Sequence, residues 1–147
     1  NATKSANIGD ITGSINILEQ QIDVPSSALL GINTSMYSLI PGITDTFICP
    51  ISIIAQLNFV TTAYDFTPAD KIWITTASAG GNGCAYLLGG TLNNSTNNAT
   101  IGTGKGLANG GFVPGESLVL WGAGGITPPS TGDGTLTINI MYRLVKF

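Results

Sequence analysis

Any chemistry in this chain has to be built without histidine, since none of its 147 residues is one. That removes Ser/His and Cys/His nucleophile couples, the imidazole base and the imidazole metal ligand. The acids that remain are Asp10, Glu19, Asp23, Asp45, Asp65, Asp70, Glu116 and Asp133. Two carboxylates at the right separation would make a glycosidase-type acid/base pair. No motif singles out such a pair, and most of these acids stand near turn residues, where solvated acids usually sit. Asp65, Asp70 or Asp133 with backbone carbonyls would suit calcium, but none shows the Asp-x-Asp spacing of a dedicated loop. No catalytic residue, metal ligand or cofactor is assigned, and the chain reads as non-enzymatic.

Other motifs are weaker. Gly102-Thr-Gly-Lys-Gly106 has the flavour of a phosphate-binding loop, but Ala99 stands where the first glycine belongs and Gly106 where Ser or Thr would ligate magnesium. Five Asn-x-Ser/Thr triplets, at Asn1, Asn33, Asn93, Asn94 and Asn98, match the glycan acceptor pattern, which arises readily in an Asn- and Thr-rich chain. Cys49 and Cys84 allow one bridge, or are two small buried hydrophobes. Trp73, Trp121 and Tyr86 have the flat faces that stack on sugar rings, and the alternative for each is a place in the core. The polar run Thr91 to Thr100 carries Asn93, Asn94, Asn97 and Asn98 as a candidate recognition loop, one the fold would tolerate losing.

Composition limits the partners. Only 9% of residues are charged, against roughly 25% in an average domain, and the mean hydropathy is +0.32. Thr, Ser, Asn and Gly must therefore cover the surface, and such neutral surface is cheaper to bury against another subunit than charged surface. A net charge of −3 with five scattered basic residues argues against nucleic acid. No apolar run reaches the roughly 18 residues of a membrane span. The N-terminus shows no secretory leader pattern, and a start at Asn1 rather than Met leaves processing or upstream residues open.

The elements follow from a period of two. Leu136, Ile138, Ile140, Tyr142 and Leu144 alternate with Thr135, Thr137, Asn139, Met141 and Arg143, which predicts a closing strand with one buried face after the turn Thr131-Gly-Asp-Gly134. Thr46 to Val60 is the longest run, with its odd positions Phe47 to Phe59 apolar and Pro50 placed at an edge or bulge. Further strands are read at Ser14–Val24, with a phase break near Leu18–Gln21, and at Ser35–Ile40, Lys71–Ser78, Gly83–Leu88 and Ser117–Trp121. Ser26 to Asn33 reads as a short helical turn capped by Ser26 or Ser27. The stretch from Gly89 to Gly111 reads as a loop or long hairpin. About eight strands at roughly ten-residue spacing signal an all-β antiparallel sandwich or barrel. Residues 1–25 read as an N-terminal arm or lead-in strand, and residues 26–147 as the sandwich domain.

Two stretches together resemble a known group. They are Ser27 to Pro41 followed by Phe47-Ile-Cys-Pro-Ile-Ser-Ile-Ile-Ala-Gln-Leu57 and Tyr64, and Ser117-Leu-Val-Leu-Trp121 followed by Gly132-Asp-Gly-Thr-Leu-Thr-Ile-Asn-Ile-Met-Tyr-Arg143. This resembles small β-sandwich virion proteins of tailed phages, over about residues 26–147. The chain departs from that pattern in its Gly-Ile-Thr-Asp-Thr turn after Pro41 and in the Asn/Gly-rich insertion at 89–111. The resemblance implies a jelly-roll-like sandwich serving as capsid decoration, fibre or tail-tip component. It further implies a homotrimer located in the virion, whose partners are other virion proteins and a host glycan or receptor. A carbohydrate-binding β-sandwich of a cell-surface or secreted protein is the competing expectation.

Overall fold

The computed structural model describes residues 16–78, 83–102, 113–122 and 125–146. Eight strands form two four-stranded sheets. The strands are β1 (Ile17–Val24), β2 (Tyr37–Ile40), β3 (Thr46–Asn58), β4 (Lys71–Thr76), β5 (Ala85–Leu88), β6 (Asn98–Gly102), β7 (Leu118–Trp121) and β8 (Thr135–Lys146). Two short helices, α1 (Ser26–Leu30) and α2 (Gly89–Leu92), interrupt them. One sheet has the order β1-β8-β3-β6 and the other β2-β7-β4-β5. Every pairing is antiparallel.

The pairs β1–β8, β2–β7, β3–β6 and β4–β5 are nested as in one long hairpin rolled onto itself. That nesting is the jelly roll, two Greek keys facing each other. The antiparallel sandwich expected from strand spacing is thus the observed fold. The closing strand β8 is central, flanked by β1 along its length and by β3. Leu136, Ile138, Ile140 and Tyr142 are buried as the alternation requires, while Leu144 is 37% exposed because it lies towards the far end of the strand. Across the sandwich Ile72, Ile74, Leu118 and Leu120 supply the opposing layer.

Four expectations need correction. The odd positions of β3 do not share one face: the register shifts between Pro50 and Ser52. Below the shift Thr46 and Ile48 are buried, and above it Ile53, Ala55 and Leu57. Pro50 lacks an N–H for the ladder, and the extra residue Ile51 reverses the phase. β1 has no phase break, since all eight of its residues pair with β8 in one register. Its mixed pattern reflects an edge strand whose Leu18 reaches past the core. The lead-in strand is accordingly a full member of the sheet. The arm reading of residues 1–13 lies outside the described residues. Helix α1 has no side-chain cap at Ser26 or Ser27: its N-cap is Pro25, whose carbonyl accepts the N–H groups of Ala28 and Leu29. The Gly89–Gly111 stretch is not one loop, because it contains α2 and edge strand β6. Its residues 103–111 lie outside the described residues.

Candidate functional site

The four asparagines of the expected recognition loop are largely committed to the fold. Asn93 Oδ1 accepts the Phe66 N–H at 2.9 Å, and its Nδ2 donates to the Phe66 carbonyl at 2.7 Å. One amide thus imitates a strand neighbour for a residue that has none. Asn94 Nδ2 donates to the Thr91 carbonyl. Asn97 Oδ1 accepts the Phe59 N–H. Asn98 opens β6 opposite Leu57. Nothing in the sequence marked Phe59 and Phe66 as the partners, since they are distant in the chain.

The acids are tied down in the same way. Asp65 accepts the Ser130 hydroxyl and the N–H groups of Ser130 and Thr131. These bonds, that from the Ser130 hydroxyl first, hold its carboxyl down at about 2. Asp133 accepts the Thr61 hydroxyl and the N–H groups of Thr61 and Thr62, which lower its pKa, the Thr61 hydroxyl contributing most. Asp70 accepts the Thr127 N–H. The three candidate calcium ligands thus pin residues 127–133 to residues 61–70, each at its own turn. Among the described residues no three His, Cys, Asp or Glu side chains gather in one place. Burial raises the Glu116 carboxyl, but hydrogen bonds from Ser78 outweigh it and its pKa falls below the ordinary value. Between the clamps stands Tyr64, which donates to the Gly134 carbonyl and lies against Gly132. Gly132 has φ +132° and no room for a Cβ beside that ring. Burial first, and Asp133 second, push the Tyr64 hydroxyl up to about 12.

The cysteines are free, Cys49 on β3 and Cys84 just ahead of β5 in the other sheet. Cys84, ahead of β5, is buried and its thiol donates to the Ile74 carbonyl. Burial pushes that thiol up to about 11. Cys49 lies on β3 and is half-buried.

The aromatic candidates do come together. Trp73 pairs with Trp121 on one side and with Tyr86 on the other, so one cross-strand row runs over β7, β4 and β5. Ile72, Ile74 and Leu120 face the core, so the alternating neighbours in the row face outwards. The Trp73 and Tyr86 rings meet edge to face with centroids 5.1 Å apart. Lys71, two residues before Trp73 on the same face, places its Nζ 4.9 Å from the Tyr86 ring centre and 5.5 Å from that of Trp73. The face is closed at one end, where Thr75 and Val119 pair and are buried. It is open at the other, where Lys71 pairs with Leu88, 42% exposed, beside Tyr86, 38% exposed. A Cβ at Gly83 would meet Trp73 Cε3 at 3.1 Å and the Ile74 carbonyl oxygen at 2.5 Å, so that glycine lets the ring seat against the chain. Along β4, Trp73 alternates with Ile72 and Ile74, a local pattern visible in the residue order. It gave no sign of Lys71, whose role depends on strand pairing.

The outer face of the other sheet carries a different surface. Thr137 donates to Asp23, Asn58 donates to Thr137 and Thr135, and Asn139 donates to Glu19. Exposed Ile17, Ile54 and Met141 stand among these groups. The other amide atom of Asn139, Oδ1, is buried without a partner among the described residues. No family model matches the chain, and the searches of curated proteins and of solved structures give no match either.

Proposed function

We propose that this chain is a non-enzymatic virion component, a capsid decoration, fibre or tail-tip module, that works by self-assembly into a homotrimer. The observation that carries the reading is the nested strand order β1-β8-β3-β6 over β2-β7-β4-β5 in a chain so poor in charge. Single jelly rolls serve viral capsids, though they also serve lectins and cupins, so this is an argument from architecture. The outer face of the β1-β8-β3-β6 sheet supports it. There the hydroxyls and amides already bond to one another and to the carboxylates of Asp23 and Glu19, with Ile17, Ile54 and Met141 exposed between them. Polar groups already satisfied internally are cheaper to desolvate against a second copy than unpaired ones. Native mass spectrometry and light scattering test it: trimers at micromolar concentration are expected, and Ile54→Glu should shift them to monomers. A monomer of about 15 kDa at every concentration, from a chain of 15.1 kDa, would sink the reading.

A second reading, a carbohydrate-binding module of a cell-surface or secreted protein, is favoured by one observation. Trp121, Trp73 and Tyr86 form a row on the outer face instead of filling the core. The same row would serve a virion protein that attaches to a host glycan. Titration with oligosaccharides, read by tryptophan fluorescence, tests for sugar binding in either setting.

A further inference from the structure

We infer that the open end of the aromatic row binds a carboxylate-bearing saccharide, with sugar rings lying along Trp121, Trp73 and Tyr86 and the carboxylate held by Lys71. The inference rests on the saccharide reading of that row and names its ligand class. Strands spaced by about 4.8 Å put the ends of a three-strand row roughly 10 Å apart, room for two adjacent sugar rings. The apolar face of a pyranose stacks on an aromatic face for the same reason that other apolar groups do, and the indole N–H can serve the sugar hydroxyls.

The charge decides the class. Lys71 is the one cation of the β2-β7-β4-β5 sheet among the described residues. Its ammonium is held over two rings, and no described carboxylate pairs with it. Neighbouring Asp70 already accepts the Thr127 N–H. The ring contacts position the ammonium at the open end of the row and leave N–H donors for an anion. Of the described acids Glu19, Asp23, Asp65, Asp70, Glu116 and Asp133 accept internal hydrogen bonds, which leaves exposed Asp45, on the turn before β3, as the one a second copy would offer.

The test is a fluorescence and saturation-transfer NMR titration of the full chain. Trigalacturonate and sialyllactose are the acidic probes, maltotriose and lactose the neutral ones. A charge-assisted contact predicts that the acidic sugars bind about tenfold more tightly than the neutral ones. Lys71→Ala should remove that preference and Lys71→Arg should keep it. Raising the salt concentration should narrow the gap between the two sugar types. Tyr86→Ala, at an exposed position, should weaken binding of every sugar while leaving the circular dichroism spectrum unchanged, which keeps the test sound even where Trp73→Ala fails to fold. Equal affinity for acidic and neutral sugars, or an unaltered preference in Lys71→Ala, overturns the carboxylate assignment and leaves sugar binding standing. No response to any of the four sugars overturns both. A tryptophan signal that follows protein concentration and is lost in Tyr86→Ala shows that a second copy occupies the row, which also overturns the inference.

Discussion

At Ile138 and Thr137, adjacent residues of β8 test which face of the strand holds the sandwich together. Ile138 is fully buried, so Ile138→Ala should cost about 2–5 kcal/mol in urea unfolding, from lost burial plus the cavity left behind. Thr137 faces outwards and bonds with Asp23 and Asn58, and Thr137→Ala should cost only about 1 kcal/mol. The reverse order would mean the register is off by one residue. The cysteines make a second contrast. A thiol reagent at pH 8 should label Cys49 in the native protein and reach Cys84 only on unfolding, because burial and the bond to the Ile74 carbonyl keep Cys84 protonated. The acids give a pH dependence with a definite sign. The Asp65 pKa is about 2 in the fold against an ordinary 3.8, so the unfolded chain takes up that proton at higher pH. The stability from this group is fully present above about pH 4 and is lost as the pH falls towards 2. Thermal melts should therefore show a drop across that window, and Asp65→Asn should flatten it. An unchanged acid limb in Asp65→Asn would show that the Ser130–Thr131 clamp does not couple to folding.

Among the elements, the segment from Thr91 to Thr100 changes most between sequence and structure. A polar run rich in Asn, Ser and Thr reads as a dispensable loop. In the fold it supplies the end of α2, the Asn93 clamp on Phe66 and the start of β6. Removing it takes away the outer neighbour of β3 and leaves the Phe66 N–H and carbonyl unpaired. The expected result of deleting residues 91–100 is hence loss of cooperative unfolding, and Asn93→Ala alone should cost about 1–3 kcal/mol. A deletion variant with an unaltered melting curve would return the segment to the status of an insertion. The β3 bulge belongs to this scale too. Among the described residues β6 pairs only with Ile53–Leu57, so Pro50, within a thirteen-residue strand, has β8 alone as its described neighbour.

For the whole molecule, the scarcity of charge makes a specific claim about assembly. Surface ion pairs give only about 0–1 kcal/mol each, and the described surface has few cations to form them: Lys71, Arg143 and Lys146. An oligomer held by apolar and neutral polar contacts should keep its mass from low salt to about 1 M NaCl. Dissociation over that range, followed by light scattering, would show that charges hold the subunits. On the proposed reading the two outer faces divide the work: the β1-β8-β3-β6 face would meet copies of the chain, and the aromatic row on the other sheet would stay open to ligand.

Residue order alone determined the class of the fold. Alternation in β8, the Pro and Gly punctuation and the ten-residue spacing are local patterns, and they specify strands and turns without knowledge of their partners. That Trp73 lies opposite in phase to Ile72 and Ile74 is legible for the same reason, but which of those faces is the outer one is not. Pairing is a different matter, because β1 meets β8 and β3 meets β6 across long separations in sequence. Only the tertiary structure could show that Asn93 and Asn97 serve distant backbone groups, that Asp65 and Asp133 clamp turns instead of gathering a cation, or that Ile51 reverses the phase of β3. It alone brought Trp121, Trp73, Tyr86 and Lys71 onto one surface. Those residues lie on three strands whose neighbourhood is set by how the long hairpin rolls up, and no period along the chain encodes that.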